Sequence, residues 1–186
     1  MGFTRIGRWR VWEQPELVVP SPGSLLVRKA TLRDSSQVAD WIQRHPLVGE
    51  ESVTSPDSTA WDVVPITPAD FNAWLAAGQV MVAASGELTG VMACHWGTDA
   101  SRQLRVRYLR GTASAVASLL AWVDAERRSH PSITVGIGLP GPQADLVRPY
   151  VVRAKEEFPA YAFMRTVEDL LPGQHLRKND ESVSAP

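Results

Sequence analysis

Arg110-Gly-Thr-Ala-Ser-Ala115 joins the end of an expected strand, Gln103 to Leu109, to the start of an expected helix. Small residues at such a junction let backbone N–H groups approach a ligand closely. The helix N-terminus behind them carries partial positive charge, and the combination suits phosphate. The same run also reads as an ordinary N-cap region. The candidate anion-binding segment is thus Leu109, Arg110, Gly111, Thr112, Ala113, Ser114 and Ala115. His95, on the preceding expected strand, is a candidate base because its intrinsic pKa lies near neutrality. The other reading is a structural histidine with a satisfied hydrogen bond. Tyr150, in Ala144-Asp-Leu-Val-Arg-Pro-Tyr150, is a candidate acid, or else a tyrosine packed with its hydroxyl at the surface. Glu50, Glu51 and Asp62 fall in a polar loop, where acids attract a cation or are simply solvated.

These groups need elements to position them. Ile6 to Trp12 alternates as a short strand and is followed by Pro15, Pro20 and Pro22, so residues 1–24 read as a lead-in. Leu25 to Thr31 reads as a first core strand, and Thr31-Leu-Arg-Asp34 as a capping box opening a helix that ends by Pro46. Thr67-Pro-Ala-Asp70 starts a second helix, closed by Gly78. Val80 to Ala84 and Leu88 to Trp96, joined at Ser85-Gly-Glu87, read as a β-hairpin. On the strand that follows, Leu104, Val106 and Tyr108 alternate with Arg105 and Arg107. Val116, Leu119, Leu120 and Val123 mark a helix face, and Arg127 and Arg128 suit its C-terminal end. Ile133 to Gly138 is an expected buried strand whose Gly136 and Gly138 share one side. Gln143 to Phe158 is a helical candidate interrupted by Pro149, and Ala160 to Thr166 a closing strand. The pattern predicts an α/β (α+β) domain over 25–170, with a mixed twisted sheet of about six strands flanked by helices, and a solvated tail over 171–186.

Composition narrows the class. The 186 residues are 44% hydrophobic and 21% charged, as expected of one globular domain. No apolar run approaches the ~18 residues of a membrane span, and Met1-Gly-Phe-Thr-Arg-Ile6 lacks a secretory apolar region. Cys94 stands alone, which excludes an intramolecular disulfide and a cysteine-based zinc site. A cytoplasmic protein without a metal follows as the expectation. Charge is uneven: six basic residues face two acidic ones over 1–33, one faces eight over 34–90, and six face three over 91–128. An anionic cofactor opposite a cationic substrate would account for this split, as would chance clustering. Arg8-Trp-Arg10-Val-Trp12 mixes base and aromatic, but as an edge strand with snorkelling arginines it needs no nucleic acid.

The element order resembles the GCN5-related N-acetyltransferase superfamily over residues 25–170. Val27-Arg-Lys-Ala-Thr-Leu-Arg-Asp34 is similar to that family's opening strand and helix start, and Gly86-Glu-Leu-Thr-Gly90 to its hairpin turn. Arg110 and Gly111 match an Arg-Gly-x-Gly-x-Gly signature, with Ala113 and Ala115 at the later glycine positions. The resemblance implies an acyl-CoA-dependent N-acyltransferase, with acetyl-CoA as cosubstrate. Leu109 to Ala115 would hold the coenzyme A pyrophosphate, and a small amine or peptide amine would be the acceptor. It further implies a pantetheine arm between splayed central strands, with Gly136 and Gly138 leaving room, and Tyr150 as acid to the leaving thiolate. The usual central-strand carboxylate is missing from Gln103 to Leu109, so His95 is the substitute base. The alternative is a domain of this fold that has lost catalysis and serves as a ligand-binding or protein-interaction module. A homodimer is left open.

Overall fold

The computed structural model describes residues 4–19, 25–44, 68–96 and 103–164. The chain opens with strand β1 (Thr4–Glu13), followed by the two-residue β2 (Glu16–Leu17) and β3 (Leu26–Lys29). A 3-10 turn (Leu32–Asp34) leads into helix α1 (Ser35–Arg44), and α2 (Pro68–Ala76) precedes the hairpin β4 (Val80–Ser85) and β5 (Glu87–Trp96). Then come β6 (Gln103–Gly111), α3 (Ala113–Ser129), β7 (Thr134–Pro140) and α4 (Gly141–Val147). After a 3-10 turn (Arg148–Tyr150), β8 (Val151–Arg153) and β9 (Glu156–Met164) complete the described residues.

Seven strands form one mixed sheet in the order β3-β4-β5-β6-β7-β1-β9, and β2 pairs with β8 in a small ribbon. Among the described residues only the β6–β7 pairing in this sheet is parallel. The expected mixed sheet of about six strands is there, with one further strand among the described residues. The extra one is β1, the segment read as a lead-in. It lies inside the sheet, with Trp9 to Glu13 paired to β7 on one side and Thr4 to Glu13 paired to β9 on the other. Trp9, Val11 and Trp12 are buried there. The alternating pattern that suggested a short strand was therefore the pattern of an interior one.

Two cores flank the sheet. Val116, Leu119, Leu120 and Val123 of α3 cover one face, packing on Met92, Cys94, Leu104, Val106 and Leu109. Trp41 of α1 and Phe71, Trp74 and Leu75 of α2 cover the other, over Val82, Val91, Ala93 and Tyr108. The first helix is pinned at its start by Asp34, which accepts from Thr31 N–H at 2.7 Å and takes both Arg28 guanidinium nitrogens at 2.8 and 2.6 Å. The Arg28 guanidinium and these hydrogen bonds hold the Asp34 carboxyl well below the usual carboxylate range, against the opposing effect of burial.

The helix expected over Gln143–Phe158 is corrected: α4 ends at Val147, and most of the remainder is extended. Pro149 has no N–H to continue the ladder, and Val151 and Val152 favour a strand. The expected closing strand accordingly starts earlier, at Glu156. Glu50, Glu51, Asp62 and the tail over 171–186 lie outside the described residues. Among the described residues no helix is long and apolar enough to cross a membrane.

Candidate functional site

The small-residue segment sits where the two parallel strands part. β6 and β7 pair from Gln103↔Thr134 to Val106↔Ile137 and no further, although both strands continue. Just past the last pair, β6 carries a bulge. Ala93 of β5 faces Tyr108 and Cys94 faces Val106, so Arg107 is the extra residue, and it is only 1% exposed. A bulge bends its strand and sharpens the twist, which accompanies the separation of β6 from β7. It also resets the alternation. Tyr108 joins the core under α2, while Leu104, Val106 and Leu109 face α3. The expectation that Tyr108 shares a face with Leu104 and Val106 is corrected by this one inserted residue.

Beyond the bulge, small size has a packing reason. A Cβ on Gly111 would lie 2.8 Å from the Gly90 Cα, 2.9 Å from the Thr89 carbonyl oxygen and 3.0 Å from the Ala115 Cβ. A Cβ on Gly90 would lie 2.7 Å from that same Ala115 methyl. Gly90, Gly111 and Ala115 let the first turn of α3 rest directly on the β5–β6 ladder. Thr112 caps the helix: its Oγ1 accepts from Ala115 N–H at 3.3 Å and its carbonyl from Val116 N–H at 2.9 Å. The first-turn N–H groups of Ala113 and Ser114 are not used by this cap. A cleft of about 310 Å³ opens at the capping residue, lined by Trp41, Arg110, Gly111, Thr112 and Leu146. Trp41 and Leu146 were not anticipated, because one reads as helix core and the other as part of a longer helix.

The gap between the parted strands is not empty. Leu109 N–H donates to Oε1 of Gln143 at 2.9 Å, and Gln143, from the first turn of α4, is 1% exposed. No sequence signal marked this residue, since a glutamine at a helix start reads as a solvated one.

His95 stands elsewhere. By strand alternation it lies on the same side of the sheet as Ala93, opposite Arg105 in register, with Gln79 Nε2 3.3 Å from its Nδ1. A polar row crosses the sheet at this level. Arg105 Nε donates to Gln103 Oε1 at 2.8 Å, and its Nη1 to Glu13 Oε1 at 3.3 Å. The Glu13 carboxylate lies over β7, 3.2 Å from the point where Gly136 would carry a Cβ. The room over Gly136 is therefore filled by Glu13. Glu13 escaped sequence reasoning because it belongs to the segment read as a lead-in. The one hint was a glycine at the centre of a buried strand.

Tyr150 lies near the loop instead, its hydroxyl donating to the Ala113 carbonyl at 3.4 Å while its ring packs on the α3-side core. The structure therefore brings Tyr150 to the small-residue segment and leaves His95 on the other face. His95 pairs with Arg105 and Gly90 with Gly111, which separates His95 from the loop by roughly 17 Å of strand. Cys94 is buried, which pushes its thiol up to about 12 and leaves it protonated at neutral pH. Among the described residues no group of three metal-ligating side chains gathers.

No family model matches the sequence, and no curated protein matches it. Solved structures do. A GCN5-related N-acetyltransferase from Kribbella flavida superposes with a TM-score of 0.55 at 19% identity, over 90% of this chain and 40% of its own. One from Sphaerobacter thermophilus gives 0.52 at 14% identity, over 89% and 54%. A functionally unknown conserved protein from Staphylococcus epidermidis ATCC 12228 gives 0.52 at 10%, over 87% and 62%. The chain thus spans about half, or less, of the first two structures it matches. Identities this low speak to architecture, and on architecture the chain has the fold of the GCN5-related N-acetyltransferases.

Proposed function

We propose that the chain is a cytoplasmic acyl-CoA-dependent N-acyltransferase, with acetyl-CoA as cosubstrate and a small amine or a peptide amine as acceptor. The observation that carries this reading is the parting of β6 from β7 beside a capped helix N-terminus. The N–H groups of Ala113 and Ser114 and the guanidinium of Arg110 offer the charge and donors that a pyrophosphate needs. The 310 Å³ cleft at Arg110, Gly111 and Thr112 gives it a place to enter.

The amine nitrogen attacks the thioester carbonyl, forming the N–C bond as the C–S bond breaks. The nitrogen loses a proton and the thiolate gains one. The central strand carries arginines where a carboxylate would help, so two groups on the α1–α2 face take over. His95 accepts the amine proton, and Glu13, held by Arg105, attracts the cationic acceptor. Tyr150 returns a proton to the thiolate.

The alternative, a domain of this fold that binds without turnover, is favoured by Gln143 occupying the strand gap. Calorimetric titration of the full chain with acetyl-CoA and with coenzyme A, followed by an assay for free thiol release over a panel of amines, separates the two. Binding with release supports the enzyme, binding without release supports the module, and no binding at millimolar ligand removes both.

A further inference from the structure

Beyond Val106↔Ile137, β6 runs on to Gly111 and β7 to Pro140 without pairing to each other. A parallel ladder that stops early leaves backbone donors on its inner edges without a strand partner. One of them, Leu109 N–H, is satisfied by a side chain: Gln143 Oε1 at 2.9 Å. A buried primary amide is costly unless bonded, and an apolar residue would fill the same volume without that cost. What glutamine adds is an amide carbonyl where the next strand's carbonyl would have been.

We propose that Gln143 is a displaceable stand-in for a ligand's amide. An extended arm bearing secondary amides, such as the pantetheine arm of an acyl-CoA, enters from the cleft and gives its own carbonyl to Leu109 N–H. The Gln143 carboxamide then turns out of the gap. This rests on the acyl-CoA reading above. The path is short, because Gly111 lines the cleft and Leu109 lies two residues along β6, about 7 Å away. The exchange swaps one amide hydrogen bond for another, so the ligand loses little by it. The cost is competition: affinity is reduced by the fraction of molecules in which Gln143 holds the gap. Gln143 thereby sets how readily this chain accepts such an arm.

The test uses the full chain labelled with nitrogen-15, titrated with coenzyme A, and the variants Gln143→Ala and Gln143→Met. The wild type should show the Gln143 side-chain NH2 and the Leu109 amide resonances moving together as ligand is added. Gln143→Ala, which empties the gap, should bind coenzyme A about tenfold more tightly. Gln143→Met, which fills the gap without an acceptor, should bind no more tightly than wild type. Coenzyme A binding with both resonances unmoved, or with Gln143→Ala no tighter than wild type, overturns this proposal and leaves the acyl-CoA reading standing. No binding by wild type or by a folded Gln143→Ala overturns both. If Gln143→Ala does not fold, the resonances of the wild type alone decide.

Discussion

Glu13 and Arg105 meet 3.3 Å apart across the strand between them, above the bare backbone of Gly136. The first strand of the chain thereby places a carboxylate on the sheet face that also carries His95. Only 20% of the Glu13 side chain and 13% of Arg105 are exposed, so water screens the pair incompletely. Glu13→Gln keeps the shape and removes the charge. The expected outcome is a KM for a cationic amine raised about tenfold, with coenzyme A affinity unchanged. Steady-state kinetics beside calorimetry checks the split, and an equal loss in both would assign Glu13 to folding instead. Gly136→Ala should give a milder version of the same defect, since its methyl presses on the carboxylate.

The contact of Gly90 with Ala115 makes a second prediction, concerning stability. Gly90→Ala and Gly111→Ala should each cost about 1–3 kcal/mol by overpacking, read by urea unfolding. Ala115→Gly should restore part of the loss in Gly90→Ala and almost none at an unrelated site, because the two methyls would compete for one space. A charged or bulky residue at position 111 therefore tests the fold before it tests a ligand site.

Acid should loosen the start of α1. The carboxyl of Asp34 titrates lower in the folded chain than in the unfolded one, so its stabilising contribution is complete above an unfolded value near 4. That contribution is lost progressively as pH falls below about 4. The Arg28 side chain is 42% exposed, so solvent screening keeps the contribution modest. Asp34→Asn should lower stability by about 1–2 kcal/mol at pH 7 and by somewhat less at pH 3, where part of the contribution is already gone. Urea midpoints at the two pH values measure the difference; equal losses would mean that the ion pair contributes nothing.

Proton transfer is tested at two residues held apart. His95→Ala should reduce turnover by about 10²–10⁴ and remove the inflection that a histidine leaves near neutral pH. Tyr150→Phe should slow thiol departure while leaving coenzyme A affinity close to wild type. Two variants with wild-type turnover would leave positioning as the source of any rate.

How far the sequence carried these conclusions depended on the range over which each signal acts. Local signals held. The Thr31–Asp34 capping box, the turn at Gly86, the Thr112 cap and the face of α3 all appear where spacing put them. Each is decided within about one turn of helix or one hairpin. The bulge at Arg107 was illegible, because an extra residue is defined only against the partner strand. Gln143 and Glu13 were missed for the same reason. Gln143 meets Leu109 across 34 residues of chain and Glu13 meets Arg105 across 92, so no window of sequence holds both partners. Pro149 is visible in the sequence, but the end of the helix is decided jointly with Val151 and Val152, whose strand pairs with the distant β2.

β1 is made long before its partners and completed only with them. Its partners β7 and β9 lie more than 120 residues downstream, as in Val11↔Gly138 and Val11↔Phe158. During synthesis Trp9, Val11 and Trp12 must therefore travel as an unpaired apolar strand until nearly all of the described chain exists. Contacts this distant in sequence close slowly, and an open strand edge is exposed to wrong partners meanwhile. Filling the slot between β7 and β9 is a late step in assembly, and a chaperone that shields β1 would act on that step.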